Sequence, residues 1–484
     1  MHESTQWGLG VKRTRNAWIV IVLLMVVSLP AVTPRLYASD EIQYFAYLRS
    51  MWFDGDLSFE NEYRYFYDRE IARAFGFQET FLELETETGL RNNFGTAGSA
   101  ILWSPFYGIA DVAARAMRLS GESVAIDGYS RPYLVAVAYG SAIYGFLAVI
   151  LSIVAARRVI GAGHLAALIV WIGTPLGFYM YVAPGMAHAC SAFAVALFVN
   201  VWLVVRERWS QSGFIALGSS AALMGMVREQ DVLMVIGPAV DFLFYLFERL
   251  RTGSEMSRVW HSLKRAMLGA MACAICYLPQ LFAYLTLYGR IGPAQQVENK
   301  MSWFAPYAGL VLFSPENGLL AWTPLVILCV GGFALMSATC LRLQDWSQNQ
   351  RIGFCMLLMF VSQVYVCGSL ESWMGAGSFG QRRFVGTSVL LTVGLAFVLQ
   401  VMHDRWYRWA VGTAIVLCVW WNVGLMGQFG AGMMDRQRLE LGRNAYTNFL
   451  VIPQMLPRLV YRYLFDRSTF YQEPQRYSQS RLSS

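Results

Sequence analysis

The chain has 484 residues, of which 56% are hydrophobic and only 14% are charged. Globular domains carry about 25% charged residues, so this composition excludes a soluble multidomain protein and indicates many lipid-facing surfaces. The net charge of +7 fits the Lys and Arg that membrane proteins place in short cytoplasmic loops, and we expect no nucleic-acid partner. All eight cysteines fall in or beside apolar runs, so neither a disulfide framework nor a cysteine metal site is indicated.

The first apolar run, about residues 17–37, predicts a spanning helix. Lys12, Arg13 and Arg15 precede it, which places the N-terminus in the cytoplasm. No small-residue cleavage site closes the run, so an uncleaved helix is favoured over a signal peptide. The loop that follows, about residues 38–131, is long and acid-rich, so we expect it on the outer side of the membrane.

Two segments of this loop predict amphipathic interfacial helices. In the first, apolar residues recur at helical spacing: Ile42, Phe45, Leu48, Trp52 and Phe53. The second, about residues 96–119, contains charges that make it a poor spanning segment. We expect both to lie at the outer membrane surface.

After Pro132, apolar runs alternate with charged turns that mostly agree with the positive-inside rule. The predicted spans are about 133–156, 164–182, 186–205, 212–227, 232–250, 266–288, 318–341, 352–369, 384–402 and 409–429. With the first helix this makes an all-α integral membrane protein of about 11 spans, N-terminus inside and C-terminus outside. The short hairpin around Arg228 decides the direction of every later span.

This topology brings unusual polar groups to the outer face. They are Asp40, Glu41, His188, Arg228 to Asp231, Glu298, Lys300, Glu316, Glu371, Arg382 and Arg383. Arginines on the outer side run against the positive-inside tendency, and binding an anionic headgroup would explain them.

The acidic pair also has a plain structural explanation. Ser39 would cap a helix whose positive dipole end favours Asp40 and Glu41. A capping role and a functional role for this pair are compatible, since a helix N-terminus would hold the carboxylates rigidly and lower their pKa values.

The other residues have structural explanations as well. His188 would bond a carbonyl at a helix end, and Arg228 would pair with Glu229 or Asp231. Arg382 and Arg383 would anchor the next helix at the headgroups. From spacing alone these alternatives remain open.

Two loops have sequences that suit either phosphate binding or an ordinary turn. Residues 373–384 contain three glycines before the arginine pair, and glycine lets backbone N–H groups approach phosphate oxygens. Residues 313–319 end an outer loop in a sharp turn at a helix start.

These features resemble the GT-C membrane glycosyltransferases. The acidic pair with Tyr44 resembles the first loop of the protein O-mannosyltransferases. Residues 313–324, the glycine-rich loop and Asn93-Phe94-Gly95 with 102–106 resemble the bacterial mannosyltransferase and aminoarabinose-transferase group. The resemblance covers residues 1–429 as one GT-C-like transmembrane catalytic domain. The tail, 430–484, resembles nothing and is predicted outside.

The resemblance implies transfer of a sugar from a polyprenyl-phosphate donor to an envelope glycan, lipid or protein acceptor, with inversion. The site would face the outer (periplasmic) side of a bacterial cytoplasmic membrane. Asp40 would be the general base. Arg382, Arg383 and Arg228 would bind the phosphate, and Glu41 and His188 would orient the substrate. Asp54-Gly55-Asp56 lies nearby, but no cofactor or metal is favoured.

A transporter or flippase of lipid-linked sugars is the alternative, in which the arginines grip a headgroup in transit. That function requires a charged path across the membrane, whereas the predicted spans contain few ionisable residues apart from Asp241. A third, non-catalytic possibility is a scaffold for envelope synthesis.

Overall fold

The structure is a computed structural model that describes residues 3–72, 76–252, 256–338, 347–375, 377–402 and 404–467, with side chains from residue 16 onward. The basic side chains before the first predicted span and the tail beyond residue 467 therefore lie outside the described residues. Within the described ranges the extended pairings are two isolated bridges, Glu85 with Arg91 and Met301 with Leu370. The predicted all-α class is confirmed.

The helices follow one another in chain order. The first four are α1 (Glu3–Ser28), α2 (Ser39–Arg49), α3 (Glu60–Asp68) and α4 (Gly98–Leu119). Next come α5 (Arg131–Ile160), α6 (His164–Gly173), α7 (Leu176–Tyr181), α8 (His188–Val205), α9 (Gln211–Val227), α10 (Ile236–Arg251), α11 (Met256–Cys276) and α12 (Leu278–Tyr288). The last are α13 (Gln295–Glu298), α14 (Ala308–Phe313), α15 (Leu319–Trp322), α16 (Leu325–Ala338), α17 (Gln348–Ser369), α18 (Ser388–Val401), α19 (Arg405–Gly430), α20 (Leu441–Tyr446) and α21 (Ile452–Phe465).

Short 3₁₀ and π segments adjoin several of these helices. The 3₁₀ segments are Leu29–Ala31, Glu229–Val235 and Arg382–Thr387, and the π segments are Ser50–Asp54, Gln78–Glu83 and Thr447–Val451.

Within the described ranges, 6 helices are long and apolar enough to cross a membrane, or up to 7 if the pair α11–α12, bent by 45°, is one span. The six are α5, α8, Glu229–Arg251, α17, Arg382–Val401 and α19. Shorter apolar helices are Asn16–Ala31, α6, α9 and α16. The chain is therefore compatible with a multi-pass membrane protein, and the count of eleven spans stays a prediction.

Prolines divide two of the predicted spans. Pro175 separates α6 from α7, and Pro324 separates α15 from α16. Proline lacks the N–H that a helix interior needs and clashes with the preceding turn. The predicted spans 164–182 and 318–341 are thus interrupted helices rather than continuous ones.

The centre of the bundle is α5, which packs against α4, α8 and α18. Helices α16 and α18 approach each other closely, because a Cβ on Gly332 would lie 2.0 Å from the Gly394 carbonyl oxygen. Small residues permit this kind of contact between membrane helices.

The C-terminal segment folds back onto the bundle. The Tyr463 hydroxyl donates to the Ala31 carbonyl at 2.7 Å, and Arg467 Nη1 donates to the Val32 carbonyl at 2.6 Å. The part of the predicted tail up to residue 467 therefore carries two helices, α20 and α21. Helix α21 contacts the Leu29–Ala31 segment that follows α1.

One set of buried charges ties α8, α10 and α17 together, and we call it the paired end. Arg206 donates to both oxygens of Asp241, at 2.8 and 3.0 Å, and Trp202 Nε1 donates to the same carboxylate at 3.0 Å. Arg206 also donates to Gln348 at 3.0 Å. This cluster lies at the C-terminal end of α8. The opposite end of α8, together with the start of α2 and the loops around residues 228 and 382, is what we call the cavity end.

Candidate functional site

The start of α2 differs in detail from the prediction. Ser39 is the first helical residue, and Ala38 is the N-cap. Glu41 supplies the cap instead, because its Oε2 accepts the N–H groups of Tyr37 and Ala38 at 2.9 and 3.1 Å. The expectation that Ser39 caps the helix is therefore wrong.

Glu41 is completely buried, and burial raises the pKa of its carboxyl to about 7, against the lowering effect of the two N–H groups and of Arg35. The expected lowering by the helix N-terminus does not hold for Glu41, since loss of hydration outweighs the favourable dipole. Its Oε1 has no hydrogen-bond partner among the described residues. Glu41 anchors the helix and is not among the described residues that line a cavity.

Asp40 points the other way, into a chamber that we call the polar cavity, of about 320 Å³. Its Oδ2 accepts a hydrogen bond from Arg382 Nη1 at 2.8 Å, with the side chains 36% and 16% exposed respectively. This contact joins the start of α2 to the end of the glycine-rich loop, more than three hundred residues later in the sequence.

The polar cavity has an excess of cations. Its polar lining comprises Ser39, Asp40, Gln43, Arg228, Gln230, Gln296, Lys300, Ser372, Arg382 and Arg383. Within this described lining, Asp40 is the one carboxylate against three arginines and a lysine. A cavity with that balance attracts anions.

Arg228 is held by neutral groups. Its Nη1 lies 3.3 Å from His188 Nδ1, its Nη2 donates to Gln230 Oε1 at 3.2 Å, and its Nε has no partner among the described residues. The alternative in which Arg228 pairs with Glu229 or Asp231 is thus not what the structure shows.

His188 begins α8 and lies buried behind Arg228. Its ring makes an edge contact with Tyr179, with ring centroids 4.4 Å apart. It is not among the described residues that line either cavity at this end. Its contact orients Arg228, so any effect on a ligand would pass through that arginine.

Arg383 is fixed through its side chain and its carbonyl. Its Nη1 donates to the Ser372 carbonyl at 2.7 Å, and its own carbonyl accepts from Gln230 and Gln363 at 3.0 Å each. Gln363 also donates to Asp231 at 3.2 Å. The Ser191 hydroxyl donates to the other Asp231 oxygen at 2.6 Å. This network holds the arginine pair in place, and residue spacing contains no signal for it.

The glycine-rich loop turns tightly before the arginine pair. Gly375 and Gly380 have φ angles of +56° and +61°, a left-handed conformation that side chains disfavour. The loop also contacts the other loop singled out in the sequence, since Asn317 Nδ2 donates to the Met374 carbonyl at 2.8 Å.

The Asn93-Phe94-Gly95 segment docks on α2. Asn93 Nδ2 donates to the Gln43 carbonyl at 2.9 Å, and the Phe94 N–H donates to Gln43 Oε1 at 2.8 Å. Phe94 and Gly95 line the polar cavity. Gln43 is therefore a site residue that the sequence reasoning missed, because a glutamine inside a helix has no distinguishing pattern.

A second chamber, of about 570 Å³, adjoins the first. We call it the apolar cavity because much of its lining is hydrophobic: Val232, Leu233, Val297, Met301, Trp303, Val366 and Leu370. The two cavities share lining residues, including Tyr44, Arg228 and Gln230. Val232 and Trp303 are 40% and 44% exposed, so the apolar wall reaches the surface of the helix bundle.

The Asp54-Gly55-Asp56 carboxylates are engaged with neighbouring protein groups. Asp54 pairs with Arg49 and accepts from Asn61 at 2.8 Å, while Asp56 accepts from Ser50 at 2.8 Å. Across the ranges that the structure describes, no three His, Cys, Asp or Glu side chains are grouped as a metal site would require.

No protein-family model matches this chain. A search of curated proteins finds no significant match either. The chemistry of the site is therefore inferred from its own geometry.

Proposed function

We propose that this protein is a membrane glycosyltransferase that moves a sugar from a polyprenyl-phosphate carrier to an acceptor hydroxyl. The observation that carries the proposal is the junction of the two cavities. A cation-lined chamber with one carboxylate, Asp40, opens into an apolar chamber that reaches the surface of the bundle. A ligand that fits both is anionic at one end and a long hydrocarbon at the other.

The phosphate would lie among the cations of the polar cavity. Arg228 and Arg383 contact neutral groups only, and no ion pair with Lys300 is found in the described part of the chain. The Arg382 guanidinium also pairs with the Asp40 carboxylate. Guanidinium groups suit a phosphate because they donate several hydrogen bonds in one plane. The hydrocarbon chain would lie along the apolar cavity, which is lined by the Glu229–Val235 segment, α17 and residues 293–303.

In the proposed step, the acceptor oxygen attacks the anomeric carbon as the carbon–phosphate oxygen bond breaks. Asp40 takes the hydroxyl proton, and the polyprenyl phosphate leaves with the bonding electron pair. A single displacement inverts the anomeric centre. The arginines stabilise the phosphate charge that develops as the bond breaks. Pairing with Arg382 also keeps Asp40 oriented before the substrate arrives.

The proposal also covers topology, location and acceptor. The chain would form about eleven spans in a bacterial cytoplasmic membrane, with the cavity end on the periplasmic side. The acceptor would be an envelope glycan, lipid or protein. The resemblance to GT-C enzymes supports this choice over a scaffold, because it places a carboxylate and arginines at the corresponding loops.

The test is Asp40→Asn in the purified protein. A positioned general base contributes about 10²–10⁴-fold to a transfer rate. Transfer should therefore fall by that factor, while binding of polyprenyl phosphate stays within a few-fold of wild type. Asp68→Asn, an exposed loop carboxylate outside both cavities, is the matched control and should leave transfer unchanged.

Full transfer by Asp40→Asn would remove Asp40 from the mechanism. Movement of the lipid-linked sugar across proteoliposomes without any acceptor, at a rate that Asp40→Asn does not change, would instead support the flippase.

A further inference from the structure

Glu229 is a carboxylate that the proposed reaction leaves unused. It begins the Glu229–Val235 segment and its side chain lines the apolar cavity. Its chain neighbours Arg228 and Gln230 line both cavities. Glu229 therefore lies beside the junction where the proposed phosphate and its sugar would meet.

The Glu229 carboxylate forms no hydrogen bond and no ion pair with any described residue. The guanidinium next to it in the chain is turned to His188 and Gln230. The other carboxylate of this cavity is Glu298, which is paired with Arg290. Glu229 therefore shares its cavity with a second carboxylate, and the arginine next to it in the chain is bonded to other residues.

A carboxylate kept for stability is normally paired or hydrogen-bonded, because removing it from water is unfavourable. The neighbouring acid of the same segment follows that rule, since Asp231 accepts from Ser191 and Gln363. The positive end of a short 3₁₀ segment favours an acid only weakly. The contrast between the two carboxylates indicates that the partner of Glu229 arrives with a ligand.

We propose that Glu229 determines specificity for the sugar, by accepting hydrogen bonds from hydroxyl groups of the glycosyl moiety of the donor. This inference rests on the proposed function. A sugar joined directly to a phosphate bound by Arg228 lies next to that arginine, and its hydroxyls are donors that a carboxylate accepts with both oxygens. Bare polyprenyl phosphate has no such hydroxyls, so Glu229 distinguishes the loaded carrier from the spent one.

The experiment compares two ligands on the full-length protein in detergent. Kd is measured for polyprenyl phosphate and for a polyprenyl phosphohexose, with wild type, Glu229→Gln and, as matched control, Glu87→Gln, an exposed carboxylate outside both cavities. A charge-assisted hydrogen bond is roughly twice as strong as a neutral one. Glu229→Gln should therefore weaken binding of the phosphohexose by about tenfold, whereas binding of the bare phosphate should not weaken, because the change removes a negative charge beside its site.

A second readout separates binding from folding. Because the Glu229 carboxylate has no partner among the described residues, Glu229→Gln should not lower the Tm of the ligand-free protein. Equal effects on the two ligands, no effect on either, or a lowered Tm would each overturn the inference. Failure of wild-type protein to bind either ligand would overturn the proposed function itself, and that outcome is visible before any variant is made.

Discussion

Buried charges at the paired end and at the cavity end are arranged in opposite ways. At the paired end, Arg206 and Asp241 have side chains 9% and 4% exposed and satisfy each other. At the cavity end, Arg228 and Arg383 are held by neutral groups around open space. The first arrangement needs no ligand. The second leaves Arg228 and Arg383 without an ion-pair partner among the described residues.

The difference shows why counting charges in apolar segments does not identify function. Asp241 is the ionisable residue that stands out in the predicted spans, as a transport path would require. The structure shows it bound to Arg206 and to Trp202. The residues whose charge or hydrogen-bonding groups are not fully used within the described chain lie instead at helix ends and in loops, where they face the cavities.

The largest expected effect is on stability at the paired end. Asp241→Ala leaves the Arg206 guanidinium buried without its carboxylate, and breaking a buried pair costs about 3–5 kcal/mol. We expect a marked fall in Tm in detergent. The double variant Asp241→Leu with Arg206→Met removes both charges and should recover much of the loss, since apolar replacement of a whole pair is often neutral.

A double variant no more stable than Asp241→Ala would show that the two charges do not act as a pair. Asp40→Asn is the comparison at the cavity end. Its Tm should stay close to wild type, because Asp40 is partly exposed and asparagine still accepts from Arg382.

A middle-sized effect is expected from Glu41, a buried carboxylate whose Oε1 has no hydrogen-bond partner among the described residues. Its pKa, raised by burial to about 7 from 4.5, means that the folded state binds more protons than the unfolded state between those values. Stability should therefore fall as pH rises from about 4.5 to about 7 and stay low above it. Glu41→Gln cannot ionise, so it should remove this loss, on the order of 2–3 kcal/mol.

The measurement is Tm against pH for wild type and Glu41→Gln. The variant should gain most over wild type at pH 8 and little at pH 4.5. The glutamine carbonyl still accepts the Tyr37 and Ala38 N–H groups. A gain that does not vary with pH would contradict the role of ionisation.

The smallest expected effect is from Arg228→Met. This change removes the unsatisfied Nε but also takes a hydrogen-bond partner from the buried His188, so stability should fall by about 1–2 kcal/mol. Binding of polyprenyl phosphate should weaken at the same time. A loss of stability as large as that of Asp241→Ala would erase the contrast between the two ends of the molecule.

The helix class followed from the sequence, because long apolar runs are local signals. The site residues stay a prediction; the structure brings Asp40 and Arg382 into contact, and no signal in the sequence gave that geometry. The breaks at Pro175 and Pro324 were visible as prolines, yet the surrounding apolar residues favoured continuous spans. The capping role of Glu41 was missed because the helix begins at Ser39, one residue earlier than a Ser39 cap predicts.

The sequence by itself determined that this is an all-helical chain with segments apolar enough for a membrane, and that an acidic pair and arginines lie at segment ends. Hydropathy and charge depend on each segment alone, so they can be read locally. Only the tertiary structure decided which charges are paired, that Glu41 turns inward while Asp40 faces the cavity, and that Glu229 meets no partner in the described part of the chain. Those outcomes depend on groups brought together from distant positions, whose distances no spacing along the chain specifies.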